Sequence, residues 1–275
     1  MKNGIYRGIA MTVAGSDSGG GAGIQADLKT FAALRVFGTT AVTSITVQNS
    51  LGVSGFYVVP PKVIKEQITA VGRDFNVDAI KTGMIGNKAA VGAVVSGLKS
   101  IDARIVVVDP VMIAQSGDPL IEDDAIAAVR ELLLPLATLV TPNIPEAERL
   151  TGMRIRNAGE MQEAALAMAK LGCAAVLIKG GHLYGGDTVT DVLLSGCEMT
   201  VYEDSRIRTD SNHGTGCTLS SAITAEMAAG RCLKDSVLCA RRYLRAGMEP
   251  GFKAGHGPGC LSHAIRMEWI EDVHA

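Results

Sequence analysis

Hydrophobic and polar positions follow two patterns that alternate along the chain. Short runs of aliphatic and β-branched residues predict buried strands, and longer segments with apolar residues three or four positions apart predict helices. The predicted strands cover residues 9–14, 40–47, 79–82, 104–108, 138–141 and 174–178, followed by an antiparallel ribbon at 189–194 and 199–206. The predicted helices cover residues 24–34, 63–71, 88–98, 123–134, 145–150, 160–171, 219–229 and 235–248.

This order of strands and helices predicts an α/β fold with a mostly parallel central sheet and helices on both faces. The composition agrees, because 47% of the residues are hydrophobic but only 4% are aromatic, as in aliphatic strands that are buried on both sides. No linker, repeat or low-complexity tract divides the 275 residues. We therefore expect a single domain that spans residues 1–275.

Polar residues cluster where the predicted strands end. In open α/β sheets, ligands bind beyond the carboxyl ends of the strands, so these clusters predict a binding site at one edge of the sheet. The clusters lie at residues 15–17, 48–49, 81–84 and 109–110, at Asn143 with Glu146, and at Lys179.

The most informative segment is residues 213–220, HGTGCTLS. Its glycines permit close approach of the backbone, and the helix predicted to follow from about Thr218 offers free N–H groups, which together favour an anion site. Cys217 stands where such a field would lower the pKa of a thiol, which makes it a candidate base. The alternative, a tight turn with a small buried cysteine, stays open on this segment alone.

The net charge and the cysteines of the sequence argue against several classes of function. The formal net charge of -2 provides no general field for nucleic acid or anionic membranes, and no apolar run is long enough to span a bilayer. The first residues lack the apolar region of a signal peptide. The six cysteines are scattered without a CxxC pair, as expected of free thiols in a cytoplasmic protein.

Two partial motifs predict other functions less well. Residues 21–26, GAGIQA, match a dinucleotide fingerprint, but the second strand ends in Gln48-Asn49 where the ribose would need an acidic residue. The Walker A pattern of P-loop NTPases is not present in the sequence. His213 and Cys217 lack a second pair at metal-ligand spacing and an evident orienting group, which argues against zinc and against acyl transfer.

Seven segments together resemble the ribokinase-like superfamily, and within it the hydroxymethylpyrimidine/phosphomethylpyrimidine kinases of thiamin biosynthesis. They are residues 14–30, 47–49, 81–84, 108–112, 141–147, 179–182 and 213–220, so the resemblance covers nearly the whole chain. It implies a three-layer ribokinase-like fold. Cys217 stands where most sugar kinases of the superfamily carry aspartate, as in the pyrimidine kinases and some pyridoxal-phosphorylating relatives. Ser18 departs from the proline common in the first glycine loop.

The resemblance implies phosphoryl transfer from ATP with Mg²⁺. Cys217 would be the base, and the N–H groups of Gly214, Thr215 and Gly216 would hold the transferring phosphoryl group. Lys179, Thr215 and Asn143 would contact the nucleotide, and Glu146 and Asp109 would serve the metal ion. Taken singly, Glu146 is equally well a carboxylate at a helix start, Lys179 a solvated strand end and Asp109 a turn residue.

The substrate would be an aminopyrimidine, with Asp27 and Gln48 as polar partners of the ring, Gly15 allowing close approach, and Met84 and Val111 forming an apolar slot. A pyridoxine/pyridoxal kinase of the same fold is the alternative enzyme, since its substrates are hydroxymethyl heteroaromatics of similar size. A ligand-binding regulator without turnover is the alternative non-enzyme. The resemblance also implies a homodimer, for which the ribbon at 189–206 and exposed apolar edges are the candidate surfaces.

Overall fold

In a computed structural model that describes residues 5–113, 121–183 and 186–268, nine strands form one sheet in the order β3-β2-β1-β4-β5-β6-β7-β8-β9. Pairing is parallel from β2 through β1 and β4 to β7, and antiparallel for β2–β3, β7–β8 and β8–β9. The strands are β1 Gly8–Asp17, β2 Val36–Asn49, β3 Gly52–Val58, β4 Ala79–Thr82, β5 Val106–Val108, β6 Leu139–Val140, β7 Ala175–Ile178, β8 Thr188–Ser195 and β9 Glu198–Ser205.

Helices cover both faces of this sheet, as the alternating pattern predicts. Alternate residues of β1 point to opposite faces, so that Ala10 packs in the cluster with α1, α7 and α8, and Met11 in the cluster with α2 to α6. The helices are α1 Gly23–Ala33, α2 Pro61–Asp74, α3 Lys88–Ser100, α4 Asp123–Ala128, α5 Ile144–Thr151, α6 Ala158–Ala169, α7 Thr215–Ala228 and α8 Leu233–Met248. The predicted three-layer α/β fold is confirmed.

Three elements differ from the sequence-based expectation. Strand β3 was not predicted, because its two glycines interrupt the alternation that identifies a strand. Only the first half of the helix expected over residues 123–134 is α-helical, as α4. It is followed by a π turn, Val129–Leu133, and by a 3-10 turn, Leu134–Leu136, that accommodates Pro135. Helix α7 begins at Thr215 rather than Leu219, so Cys217 lies inside its first turn.

Candidate active site

A cavity of about 880 Å³ opens where the parallel strands end. Strand ends and two glycine loops form its walls, as the positions of the polar clusters predict. Twelve of the thirteen residues singled out from the sequence line it: Gly15, Gln48, Met84, Asp109, Val111, Asn143, Glu146, Lys179, Gly214, Thr215, Gly216 and Cys217. Asp27 is the exception.

The second glycine loop leads directly into α7. Gly214 precedes the helix with a φ of +84°, and a Cβ there would lie 1.9 Å from the carbonyl oxygen of Gly21 in the first glycine loop. Only glycine fits both requirements. The N–H of Thr215 donates to Asn212 at 3.4 Å, whereas Gly216 and Cys217 occupy the first turn, where no acceptor exists one turn back in the helix. Their amides therefore lack a partner within the helix, and such a helix start is a favourable position for an anion.

The pKa of the Cys217 thiol is raised, whereas the sequence analysis predicts that it is lowered. Burial raises the pKa of its thiol to about 11, and the carboxylates of Asp27 and Asp109 add to this, against the opposing effects of the Lys81 ammonium and the Gly23 backbone. The expectation of a lowered pKa considered the helix start and neglected the cost of burying a thiolate. At neutral pH the side chain of Cys217 is therefore a thiol.

Asp27 lies behind the cavity wall, where it holds a buried cation. Its side chain and that of Lys81 are fully buried, and the Lys81 ammonium lies 3.0 Å from both carboxylate oxygens. Thr12 and Ser221 each donate to the same carboxylate at 2.5 Å. These four contacts occupy the acceptor positions of Asp27, so its location does not support the predicted contact with a ring amino group. Asp27 instead anchors Lys81, a cavity residue that the sequence analysis noted only within the polar cluster at residues 81–84.

Lys179 and Asp109 form an ion pair across the cavity floor. The ammonium lies 3.0 Å from Asp109 Oδ1, and Asp109 also accepts from Ser220 at 3.1 Å and from Thr141 at 3.3 Å. Burial disfavours the charge on Asp109, but the ammonium groups of Lys179 and Lys81 lower its pKa below the usual value. The two candidate residues are thus charged and fixed relative to the start of α7.

Glu146 and Asn143 form the capping box of α5. Asn143 Oδ1 accepts from the Glu146 N–H at 2.9 Å, and Glu146 accepts from the Asn143 N–H at 2.8 Å. Burial raises the pKa of Glu146 to about 7; Lys179 and backbone N–H groups oppose this, while Asp109 adds to it. Such a carboxylate gains its charge most readily when a cation binds beside it.

The carboxylates of the cavity fit a Mg²⁺ ion that takes part of its coordination from the protein and the rest from a bound ligand. Within the described residues, no group of three or more His, Cys, Asp or Glu side chains is placed to hold a metal. Asp109 and Glu146 provide two carboxylates, which is the number that Mg²⁺ takes from proteins when phosphates and water complete its octahedron. A resident all-protein metal site is not what this geometry favours.

Gly15, Gln48, Met84 and Val111 are the cavity residues predicted to contact a substrate ring. Gly15 has no room for a side chain, since a Cβ would lie 2.6 Å from the Ser44 hydroxyl. Met84 and Val111 provide apolar surface, and the amide of Gln48 provides the polar edge. This combination suits a flat, polar heteroaromatic ring.

Asp17 is a site residue that the sequence showed only as part of a polar cluster. Its carboxylate accepts from the N–H groups of Gly19, Gly21 and Ala22 at 2.7 to 3.0 Å. It also lies 3.3 Å from Nε2 of His213, which joins the two glycine loops. Burial opposes its ionisation, but these hydrogen bonds hold the pKa of Asp17 below its usual value. The first glycine loop is therefore organised by an internal anion.

Comparison with known proteins gives a consistent result. The family model described as phosphomethylpyrimidine kinase matches residues 17–262. The thiamine biosynthesis bifunctional protein ThiED of Geobacter sulfurreducens is 46% identical over 97% of this chain, which spans only 54% of that protein. A hydroxymethylpyrimidine/phosphomethylpyrimidine kinase of Bacillus subtilis is 43% identical over 92% of this chain and 94% of its own length.

Solved structures agree in fold. An ADP complex of Bacillus subtilis pyridoxal kinase has a TM-score of 0.86 at 36% identity and covers 94% of this chain and 97% of its own. A phosphomethylpyrimidine kinase from Clostridium difficile has a TM-score of 0.78 at 41% identity and covers 86% of this chain and 97% of its own.

Proposed function

The chain belongs to the phosphomethylpyrimidine kinase family, and we propose that it is an ATP-dependent kinase of thiamin biosynthesis. It phosphorylates 4-amino-5-hydroxymethyl-2-methylpyrimidine and then phosphorylates the monophosphate to the diphosphate. The observation that carries this proposal is the joint placement, in one cavity, of an anion site at the start of α7 and a slot for a polar ring.

The residues divide the work of phosphoryl transfer, which requires positioning and neutralisation of charge. The amides of Gly216 and Cys217 receive the transferring phosphoryl group, with Gly214 and Thr215 shaping the loop. Lys179 neutralises charge on the ATP phosphates as a point charge. Asn143 fixes the start of α5 beside the nucleotide.

Asp109 and Glu146 would hold Mg²⁺, which supplies further neutralisation of phosphate charge when bound with ATP. Gln48, Gly15, Met84 and Val111 bind the pyrimidine and direct its hydroxymethyl group towards the start of α7. Cys217 accepts the hydroxyl proton after its own thiol has ionised.

A pyridoxine/pyridoxal kinase is the second candidate, because the pyridoxal kinase structure superimposes with a higher TM-score than the phosphomethylpyrimidine kinase structure, 0.86 against 0.78. The sequence comparisons with named pyrimidine kinases favour the first candidate.

A coupled assay of ADP release distinguishes the candidates. We expect turnover with the hydroxymethylpyrimidine and its monophosphate, and lower kcat/KM with pyridoxine and pyridoxal. A higher kcat/KM for the pyridoxine vitamers would replace the first function by the second. Tight pyrimidine binding without ADP release would identify a ligand-binding regulator instead.

We further propose that the enzyme is a cytoplasmic homodimer. All six cysteines are free thiols, as is usual in a reducing compartment. No helix in the described parts of the chain is both long and apolar enough to cross a membrane. The antiparallel hairpin of β2 and β3 exposes Ile45, Val47 and Tyr57 on one face, which makes it a better dimer surface than the ribbon of β8 and β9, where Val201 is the exposed large apolar residue.

A further inference from the structure

The hydroxyl of Thr46 lies between two oxygen atoms on the wall of the ring slot. Thr46 Oγ1 is 2.9 Å from the carbonyl oxygen of Ser16 and 3.2 Å from Oε1 of Gln48. Thr46 is 5% exposed, so water does not replace these partners easily. A hydroxyl has one proton, and it therefore cannot donate to both oxygens at once.

The Ser16 carbonyl decides where that proton goes. A carbonyl can only accept, so the shorter contact exists only if Thr46 donates to Ser16. The Ser16 side chain is itself fixed, because Gln25 donates to its hydroxyl at 2.8 Å while accepting from the Asp17 N–H at 2.9 Å. Because its proton is used in the bond to Ser16, the Thr46 hydroxyl can only accept a hydrogen bond from Gln48.

The Gln48 amide then has one favourable orientation. A carboxamide exchanges its oxygen and its NH₂ group by a half-turn, and the surrounding hydrogen bonds determine which end faces which partner. With its NH₂ group donating to Thr46, Gln48 turns Oε1 towards the cavity. The backbone cannot move to escape this choice, since the Ser18 hydroxyl accepts from the Gln48 N–H at 2.9 Å and donates to its carbonyl at 2.6 Å.

We propose that Thr46 is a positioning residue that makes the ring slot select substrates with a hydrogen-bond donor, such as an exocyclic amino group, at the edge facing Gln48. The proposal rests on the proposed function for the identity of the ring and extends it to the origin of its selectivity. A ring that presents a carbonyl oxygen at this edge, as the aldehyde of pyridoxal does, brings a second acceptor against the Gln48 oxygen and is disfavoured.

The test measures ring binding by calorimetry with two probes, 4-amino-5-hydroxymethyl-2-methylpyrimidine and the same compound without the amino group. We expect the wild type to bind the amino compound about tenfold more tightly, as one hydrogen bond to a fixed acceptor allows. Thr46→Val keeps the shape but loses the hydroxyl, and should abolish most of this preference. Thr46→Ser keeps the hydroxyl and should restore it.

Thr39→Val is the matched control. Thr39 lies on the same strand and donates to the Ala10 carbonyl at 3.2 Å, away from the cavity. It should leave the preference unchanged, and thermal melting checks that each variant is folded. Gln48→Glu offers an acceptor in either orientation, so adding Thr46→Val to it should cost no further preference.

Three outcomes of these binding measurements would contradict the proposed role of Thr46. Equal binding of both probes by the wild type, an intact preference in Thr46→Val, or equal losses in Thr39→Val and Thr46→Val would overturn the inference. Selective binding by the wild type that depends on Thr46, but without ADP release, would leave the inference standing and refute the proposed kinase activity.

Discussion

At the scale of single residues, Cys217 brings together two opposing effects. A helix start favours a thiolate, but burial and two nearby carboxylates raise the pKa of this thiol to about 11. A base must be deprotonated before it accepts a proton, so the active fraction of Cys217 grows as the pH rises towards that pKa. We expect kcat/KM for the hydroxymethylpyrimidine to increase by nearly tenfold per pH unit between about pH 7 and pH 10.

Cys217→Ser should remove this slope and lower kcat for the first phosphorylation by roughly 10²–10⁴. The second phosphorylation should suffer much less, because its nucleophile is a phosphate oxygen that is already ionised near pH 7. Cys232→Ser, at an exposed cysteine, is the control. A flat pH profile, together with near-normal kcat in Cys217→Ser, would leave the loop amides and Lys179 as the catalytic groups.

Glu146 offers a second pH-dependent observable. With a pKa of about 7, raised first by burial, its carboxylate is ionised above neutrality and protonated below it. Protons and Mg²⁺ should therefore compete, and the Mg²⁺ concentration for half-maximal activity should rise as the pH falls from 8 to 6. Glu146→Gln preserves the capping box but should abolish this dependence and weaken Mg²⁺ use at pH 8. Glu163→Gln, on α6, should behave like the wild type.

At the scale of elements, the two glycine loops pack closely against each other because Gly214 has no side chain. Gly214→Ala adds a Cβ 1.9 Å from the Gly21 carbonyl at a φ of +84°, so the loop must move away from the start of α7. Gly230→Ala has a similar φ of +90° at the other end of α7 but meets open space. Gly230→Ala should lose about 1 kcal/mol of stability, whereas Gly214→Ala should lose more than this and also more than roughly 10²-fold in kcat. Equal kinetics in the two variants would contradict this role for the loop.

The same elements show what sequence reasoning can and cannot supply. The alternation of strands and helices, and the clustering of Asp109, Asn143 and Lys179 at one edge, follow from periodicity and from polar residues at strand ends. The position of Asp27 did not follow, because its pairing with Lys81 joins residues 54 positions apart and depends on how α1 packs against the sheet. The pKa of Cys217 likewise depends on burial that a local segment does not reveal.

At the scale of the whole molecule, the β2–β3 hairpin serves both surfaces of the fold. Ile45 pairs directly with Tyr57, and with 54% and 71% of their surfaces exposed they form an apolar patch, while Thr46 on the opposite face lines the cavity. We expect sedimentation to show a dimer, and Ile45→Asp combined with Tyr57→Asp to yield monomers. Leu166→Asp, at a 51% exposed position on α6, should remain dimeric. A monomeric wild type would refute the homodimer.

The strand order also has a consequence for how the chain is made. From β5 onwards, each strand pairs with the one that precedes it in the sequence, and β1 has both of its neighbours, β2 and β4, by residue 82. During synthesis on the ribosome, each strand after β1 is therefore made later than at least one of the strands with which it pairs. Helix α7, which carries the proposed anion site, is translated only after the last strand. The whole sheet is therefore synthesised before the start of α7, and the core on the α1 side of the sheet can close only when α7 and α8 have followed.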